Sequence, residues 1–193
     1  MGISGVDASG KTEFAKGFVN YLRKKNTVTQ PILIDDFHNE KKIRYKNIDR
    51  VKCYFQDSFN ISKIVDELLV PIAEGKTVNV SFKLLNLEAD QYTIGKSYSA
   101  TKDTIVVFEG VFLFRDEFSD YIDYKVWVDA DSAECLRRAK LRDSKSAYAK
   151  YETKYLPAQK HYLSKYPPNK IADLIIDNIT WENPIIIPQT RYC

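Results

Sequence analysis

Cysteine is scarce in this chain and follows no pairing pattern. Cys53, Cys135 and Cys193 are odd in number and lack C-x₂-C spacing, which argues against both a disulfide framework and a zinc site. That usage fits a reducing cytosol, so a cytoplasmic location is expected. An excess of charge of one sign is also lacking. Lys and Arg number 29 against 26 Asp and Glu, a net charge of +3, so neither nucleic acid nor an anionic membrane is expected as the main partner, and any positive field must be local. No window approaches roughly 18 uninterrupted apolar residues, and the start has no basic segment leading into an apolar one; a membrane span and secretion are therefore not expected. Internal repeats and low-complexity linkers are missing too. At 193 residues the chain reads as one domain, long enough for a substantial core.

What is present begins at the fifth residue. Gly5-Val6-Asp7-Ala8-Ser9-Gly10-Lys11-Thr12 is GxxxxGK[ST], a phosphate-binding loop. The glycines let backbone N–H groups turn inward around phosphates, Lys11 reaches β/γ oxygens, and the Thr12 hydroxyl can coordinate Mg²⁺. A nucleoside triphosphate is thus expected, with Gly5, Asp7, Ala8, Ser9, Gly10, Lys11 and Thr12 around it. The apolar segment before Gly5 is only three or four residues, shorter than a strand feeding such a loop usually is, and an upstream start is expected.

Beyond the loop, Phe14, Phe18 and Leu22, with Ala15 and Val19 beside them, keep helical spacing, so the loop opens a helix carrying the positive end of its dipole. Short apolar runs ending in acid recur at Pro31–Asp35, Thr104–Glu109, Val126–Asp129 and Leu174–Asp177, the pattern of buried parallel strands whose C-terminal ends carry chemistry. Ile61, Ile64, Val65, Leu68, Leu69 and Ile72 predict a helix that Pro71 kinks or ends. Asp131-Ser132-Ala133-Glu134 reads as a capping box opening another. Alternating strands and helices predict an α/β three-layer sandwich with a mostly parallel central sheet.

Asp35-Asp36-Phe37-His38 follows the second strand. A carboxylate there can accept the proton of a hydroxyl undergoing phosphoryl transfer. Glu109, ending the third apolar strand ahead of Gly110, suits a direct or indirect Mg²⁺ contact. Arg137, Arg138, Lys140 and Arg142 concentrate positive charge on the helix after Asp131, where Arg138 and Arg142 share one face. These two are expected to be loosely held until a lid, about residues 131–155, closes over the transferring phosphoryl group. Tyr151, Tyr155 and Tyr162 fit a helix face packed on the core. With Tyr166, Lys154, Lys160 and Lys165 they are weighed as a nucleic-acid surface and set aside. His161 reads as structural, and His38 as a turn residue with a local hydrogen bond.

In the order and spacing of its motifs the chain resembles the uridine kinase and phosphoribulokinase group of P-loop kinases, which includes nicotinamide riboside kinases, and above all the bacterial uridine kinase-like branch. The carriers are ISGVDASGKT (Ile3 to Thr12), LIDDFH (Leu33 to His38), YFQDSFN (Tyr54 to Asn60), VVFEGVFLFRDE (Val106 to Glu117), RRAKLRD (Arg137 to Asp143), YETKYLPAQKHYL (Tyr151 to Leu163) and ADLIIDN (Ala172 to Asn178). The resemblance implies a P-loop NTPase fold with a helical lid, ATP and Mg²⁺ as cofactors, and Asp35 as general base. It implies Glu109 and Thr12 at the metal, Lys11, Arg138 and Arg142 at the phosphates, and Asp36, Phe37, His38, Tyr54 and Asp57 beside the acceptor. Two departures stand out: Glu13 replaces the usual second Ser/Thr, and Ser81 to Ala100 matches no nucleoside-base pocket.

The expected activity is transfer of the ATP γ-phosphoryl to a hydroxyl of a nucleoside or sugar-like acceptor. Nicotinamide riboside, pantothenate or a ribulose phosphate-like compound is the alternative acceptor, and a regulator without turnover the alternative role. A GTPase is disfavoured because Asn169-Lys170-Ile171-Ala172-Asp173 places the acid one residue too late for N-K-x-D. The partners expected are a nucleotide and a small-molecule acceptor, with a homo-oligomer left open.

Overall fold

The computed structural model describes residues 1–142 and 148–187. Residues 143–147 of the expected lid, including Asp143, and Cys193 lie outside them. Six strands form the main sheet: β1 (Gly2–Ser4), β2 (Thr29–Leu33), β5 (Ile105–Gly110), β6 (Lys125–Asp129), β7 (Leu174–Asp177) and β8 (Ile185–Ile187), ordered β2-β5-β1-β6-β7-β8. The first five are mutually parallel, and β8 runs antiparallel to β7 at the edge. Strands β3 (Val78–Asn86) and β4 (Gln91–Ala100) pair separately as an antiparallel hairpin.

Alternation along the strands builds the layers. Ile3, Val107, Val126, Val128 and Ile176 face the helix Lys11–Lys24 and pack on its Ala15 and Val19. Their neighbours Ile32, Phe108, Trp127 and Ile175 face the opposite way, into a larger aromatic core with Phe112, Phe114, Phe118 and Tyr162. Residues one apart on a strand point to opposite faces, so a strand buried on both sides reads as a continuous apolar run. The helix Leu156–Lys165 lies on this second face: Tyr162 is buried there and its hydroxyl accepts from the Phe114 amide at 3.0 Å. Tyr151 is buried as well, in agreement with a core-packed helix face.

Several boundaries differ from expectation. The second strand stops at Leu33 and Ile34–Phe37 form a 3₁₀ turn, so Asp35 stands in that turn rather than at the strand end. Pro71, expected to kink or end its helix, lies just after a π-type turn at Val65–Leu69, and the helix runs only two residues further, to Ala73. Asp131 does cap the helix Ser132–Arg142, accepting from the Glu134 amide at 2.7 Å, but Glu134 turns its carboxylate to Arg137 and Arg138 instead of completing the box.

The hairpin β3-β4 and the edge strand β8 were not anticipated. The hairpin places Phe82 and Tyr98 against Phe37, at 5.8 and 5.6 Å between ring centroids, and thereby braces the 3₁₀ turn. The other brace is Gly110: a Cβ there would collide with Cγ2 of Ile34, so β5 and the turn approach as closely as they do only because the side chain is hydrogen. Gly110→Ala is expected to lower stability by about 1–3 kcal/mol, the usual range for overpacking a core. Thermal or denaturant unfolding checks this, and an unchanged midpoint would contradict it.

Candidate active site

The C-terminal ends of β1, β2, β5, β6 and β7 lie along one edge of the sheet, and the phosphate loop leaves β1 in their midst. Its shape follows from small residues. A Cβ on Gly5 would stand 2.5 Å from Ser9 Oγ and from the Val128 carbonyl; Ala8 (φ 64°) and Gly10 (φ 91°) are both left-handed. In Ala8 that conformation is strained, and such strain gathers at functional sites. The Val6 carbonyl accepts from the Ser9 amide at 3.1 Å and from Lys11 Nζ at 3.3 Å. The Ser9 hydroxyl is buried with no partner. No side chain caps the helix that starts at Lys11, and first-turn amides have no partner within a helix, which makes this terminus a place for an anion.

Glu109, Asp7 and Asp36 lie within electrostatic reach of Asp35, and the four acids are not equivalent. Glu109 is buried and its Oε1 accepts from Thr12 Oγ1 at 3.0 Å. Burial raises its pKa, opposed by Lys11 and the Thr12 hydrogen bond. Asp7 is held in place by Tyr54, which donates at 2.9 Å, and by Gln159, which donates at 2.5 Å. Asp36 is committed to the hairpin through Lys96 at 2.5 Å and the Tyr98 hydroxyl at 2.8 Å. Asp35 differs from all three. Its side chain is open to solvent on one side and crowded by protein on the others, and this desolvation raises its pKa; Lys11 and Arg142 pull it down, while Asp7 and Asp36 push it up.

The arginines divide. Against the expectation of a loose lid residue, Arg138 is fully engaged. Its Nε donates to Glu134 at 2.7 Å, Nη1 to the Ser9 carbonyl at 3.1 Å and the Ala8 carbonyl at 3.5 Å, and Nη2 to the carbonyls of Asn178 and Ile179 at 2.6 and 2.9 Å. Asn178 Nδ2 reaches the same Ser9 carbonyl at 2.7 Å. A helix and the loop after β7 thus grip the phosphate loop from outside. Beyond this grip lies a cleft of about 670 Å³ beside Gly10 and Phe14, with Arg142, Leu141, Trp181 and Pro184 along its walls. Trp181 and Leu141 are large, apolar and exposed, as the walls of a site for a flat ring are.

Other expected site residues are placed differently. Phe37 is core, not surface. Asp57 faces Lys46 at 2.8 Å. His38 packs against Phe59 in a tilted arrangement, 4.7 Å between ring centroids, and burial, with Arg44 and Lys154 nearby, pushes its pKa down to about 4. Sequence reasoning missed Gln159, Asn178 and Trp181, and read Glu134 only as part of a capping box. Gln159 and Asn178 fall inside quoted motifs but act through contacts distant in the chain, to Asp7 and Ser9, whereas Glu134 acts on its near neighbours Arg137 and Arg138.

A sequence model described as "Phosphoribulokinase / Uridine kinase family" matches residues 1–180. The chain belongs to that family. It is 28% identical to a uridine kinase of Ureaplasma urealyticum serovar 10 over 152 residues, covering 78% of this chain and 72% of that one. It is 27% identical to uridine-cytidine kinase B of Dictyostelium discoideum, covering 91% and 73%. A solved structure of a possible uridine kinase from Bacillus stearothermophilus superposes with a TM-score of 0.72 at 21% identity over 90% of this chain and 85% of that one, a likeness of fold. Family membership carries with it the enzyme class, an ATP-dependent phosphotransferase acting on a hydroxyl.

The division between the arginines has a consequence for binding. Arg138→Ala removes the donors that hold the Ser9 carbonyl side of the loop, and is expected to weaken ATP binding about tenfold or more, since each lost hydrogen bond costs roughly 1 kcal/mol. Arg142→Ala is expected to lower kcat with ATP affinity little changed. Calorimetry and steady-state kinetics separate the two; a kcat defect confined to Arg138→Ala would reverse the assignment.

Proposed function

We propose that this chain transfers the γ-phosphoryl group of ATP to a hydroxyl of a nucleoside or sugar-like acceptor. The observation that carries the reading is Asp35, a solvent-reachable carboxylate with a raised pKa set against Lys11 at the mouth of an uncapped helix. In the reaction the acceptor oxygen forms a bond to Pγ, the bond from Pγ to the β-phosphate oxygen breaks, the hydroxyl proton passes to Asp35, and ADP leaves. A raised pKa makes Asp35 a stronger base than an ordinary aspartate.

The remaining roles follow from placement. First-turn amides and Lys11 hold the phosphates, Arg142 meets charge that develops on the transferring group, and Arg138 and Asn178 keep the loop in shape. The nucleotide base occupies the cleft by Trp181. Thr12 and Glu109 offer hard oxygen donors 3.0 Å apart, and among the described residues there is no cluster of three or more metal-ligating side chains. Such a sparse donor set fits Mg²⁺, which keeps phosphate oxygens and waters among its ligands. When bound it neutralises charge between the β and γ oxygens. No described helix is long and apolar enough to cross a membrane.

The test is turnover with a panel of uridine, cytidine, other nucleosides and sugars, following ADP release. ADP formation is expected to depend on the acceptor, and Asp35→Asn to lower kcat by at least about 10²-fold with ATP affinity nearly unchanged. The ionised form of Asp35 is the active one, so kcat/KM is expected to fall as pH drops through its raised pKa. The acid limb then lies above the usual carboxylate value of about 4 and disappears in Asp35→Asn. ATP hydrolysis indifferent to acceptor, or a limb that survives the substitution, would contradict the reading.

A further inference from the structure

Near Asp35 stands a group of cations that acids meet only in part: Arg44 has one long ion pair, to Asp90, and Lys154 has none among the described residues. Lys154, in the turn Tyr151–Tyr155, is only 7% exposed. Its ammonium lies 4.9, 5.1 and 5.3 Å from the ring centroids of Tyr54, Tyr45 and Tyr155. It makes no hydrogen bond or ion pair among the described residues. Tyrosine faces compensate a buried cation in part but accept none of its three N–H donors well.

Further cations lie around it, Arg44 partly buried and Arg50 exposed. Arg44 Nε is buried with no partner. Its Nη2 reaches only Asp90, at 3.4 Å, whose carboxylate also accepts from the Lys41 amide at 2.9 and 3.1 Å. Arg50 stands over Tyr45 at 5.1 Å. His38 Nδ1 is buried and unpartnered. The nearby acids are spoken for: Asp57 faces Lys46, and Asp49 caps the helix Arg50–Asp57. Lys150, Arg44 and Arg50 add to burial in pushing the pKa of Lys154 down to about 8.

This group adjoins the reacting centre. Tyr54, one wall of the Lys154 cage, donates its hydroxyl to Asp7 and lies within the electrostatic reach of Asp35; His38 follows Asp35 by one turn of chain. Building unpaired buried cations is costly, and a bound anion offsets that cost.

We infer that the acceptor carries an oxyanion, a phosphate or a carboxylate, which Lys154 and Arg44 receive while its hydroxyl faces Asp35. The inference rests on the kinase reading above and narrows its substrate class. A neutral nucleoside leaves Lys154 and Arg44 Nε as they are in the free chain. Arg44 supplies a fork suited to two oxygens and Lys154 a point charge, so either oxyanion is received, and the substrate panel separates them.

The experiment compares acceptors in pairs that share a skeleton and differ in the anion: a pentulose with its 5-phosphate, pantothenol with pantothenate, glycerol with glycerate, and uridine beside them. Two readouts are taken on the full chain: kcat/KM, and equilibrium binding by calorimetry with a non-hydrolysable ATP analogue present. The anionic member of at least one pair is expected to exceed its neutral partner and uridine by at least about tenfold in both. Lys154→Met, which keeps the apolar stem, is expected to abolish most of that preference by raising KM for the acceptor, with KM for ATP unchanged. Arg44→Gln is expected to do the same if Lys154→Met fails to fold.

Anion-selective binding that depends on Lys154, with no turnover of any pair, upholds this inference and sinks the kinase reading. Turnover of uridine or a neutral sugar with no anion preference does the reverse. A preference unaltered in both variants, or binding of neither member of any pair, overturns the assignment and leaves Lys154 a structural cation in an aromatic cage.

Discussion

The phosphate loop keeps its form because its carbonyls, rather than its outward amides, are tied to the rest of the chain. Val6 O is held from within by Ser9 N and Lys11 Nζ, and Ser9 O from outside by Arg138 and Asn178. A loop of left-handed and glycine residues has little reason to hold one shape by itself. With its carbonyls bonded on both sides, it stays open toward a ligand, and the uncapped helix end behind it gives the opening its charge preference. The positions of Glu109 and Asp35 then follow from strand register, since Glu109 pairs across β5 with Leu33 of β2 and with Ile3 of β1.

Charge distribution explains how a chain with a net charge of only +3 handles anions. The basic residues sort into two groups around the site instead of coating one face. Arg137, Arg138 and Arg142 border the cleft beside Gly10 and Trp181, while Arg44, Arg50 and Lys150 gather around Lys154. Composition averages these away, which is why the balance of Lys, Arg, Asp and Glu says so little about the chemistry.

Much of the frame was legible in the residues. GxxxxGKT and the acid-ended apolar runs depend on local geometry and on burial from both faces, and both leave marks in consecutive residues. The hairpin β3-β4 was less visible. Val78, Phe82 and Leu84 do alternate, but much of β4 is exposed, so its period is blurred. Three isoleucines, Ile185–Ile187, make an exposed edge strand too short to show a period at all. The site divided likewise. Lys11, Thr12, Glu109 and Asp35 came from motif position, whereas the grip of Arg138 on Ser9 and the tie of Asp36 to the hairpin depend on contacts 60 or more residues apart. Phe37 shows the limit of reading a motif as a list of contacts: its neighbour Asp35 faces the site, while Phe37 itself is core.

The central claim is that a γ-phosphoryl group leaves ATP for a hydroxyl on a small acceptor and does not go to water. Phosphorus NMR of ATP, Mg²⁺, acceptor and protein in one tube follows that group directly. The account predicts a phosphomonoester resonance growing in step with ADP, with inorganic phosphate far behind. Growth of inorganic phosphate alone, at the same rate with and without acceptor, would contradict it.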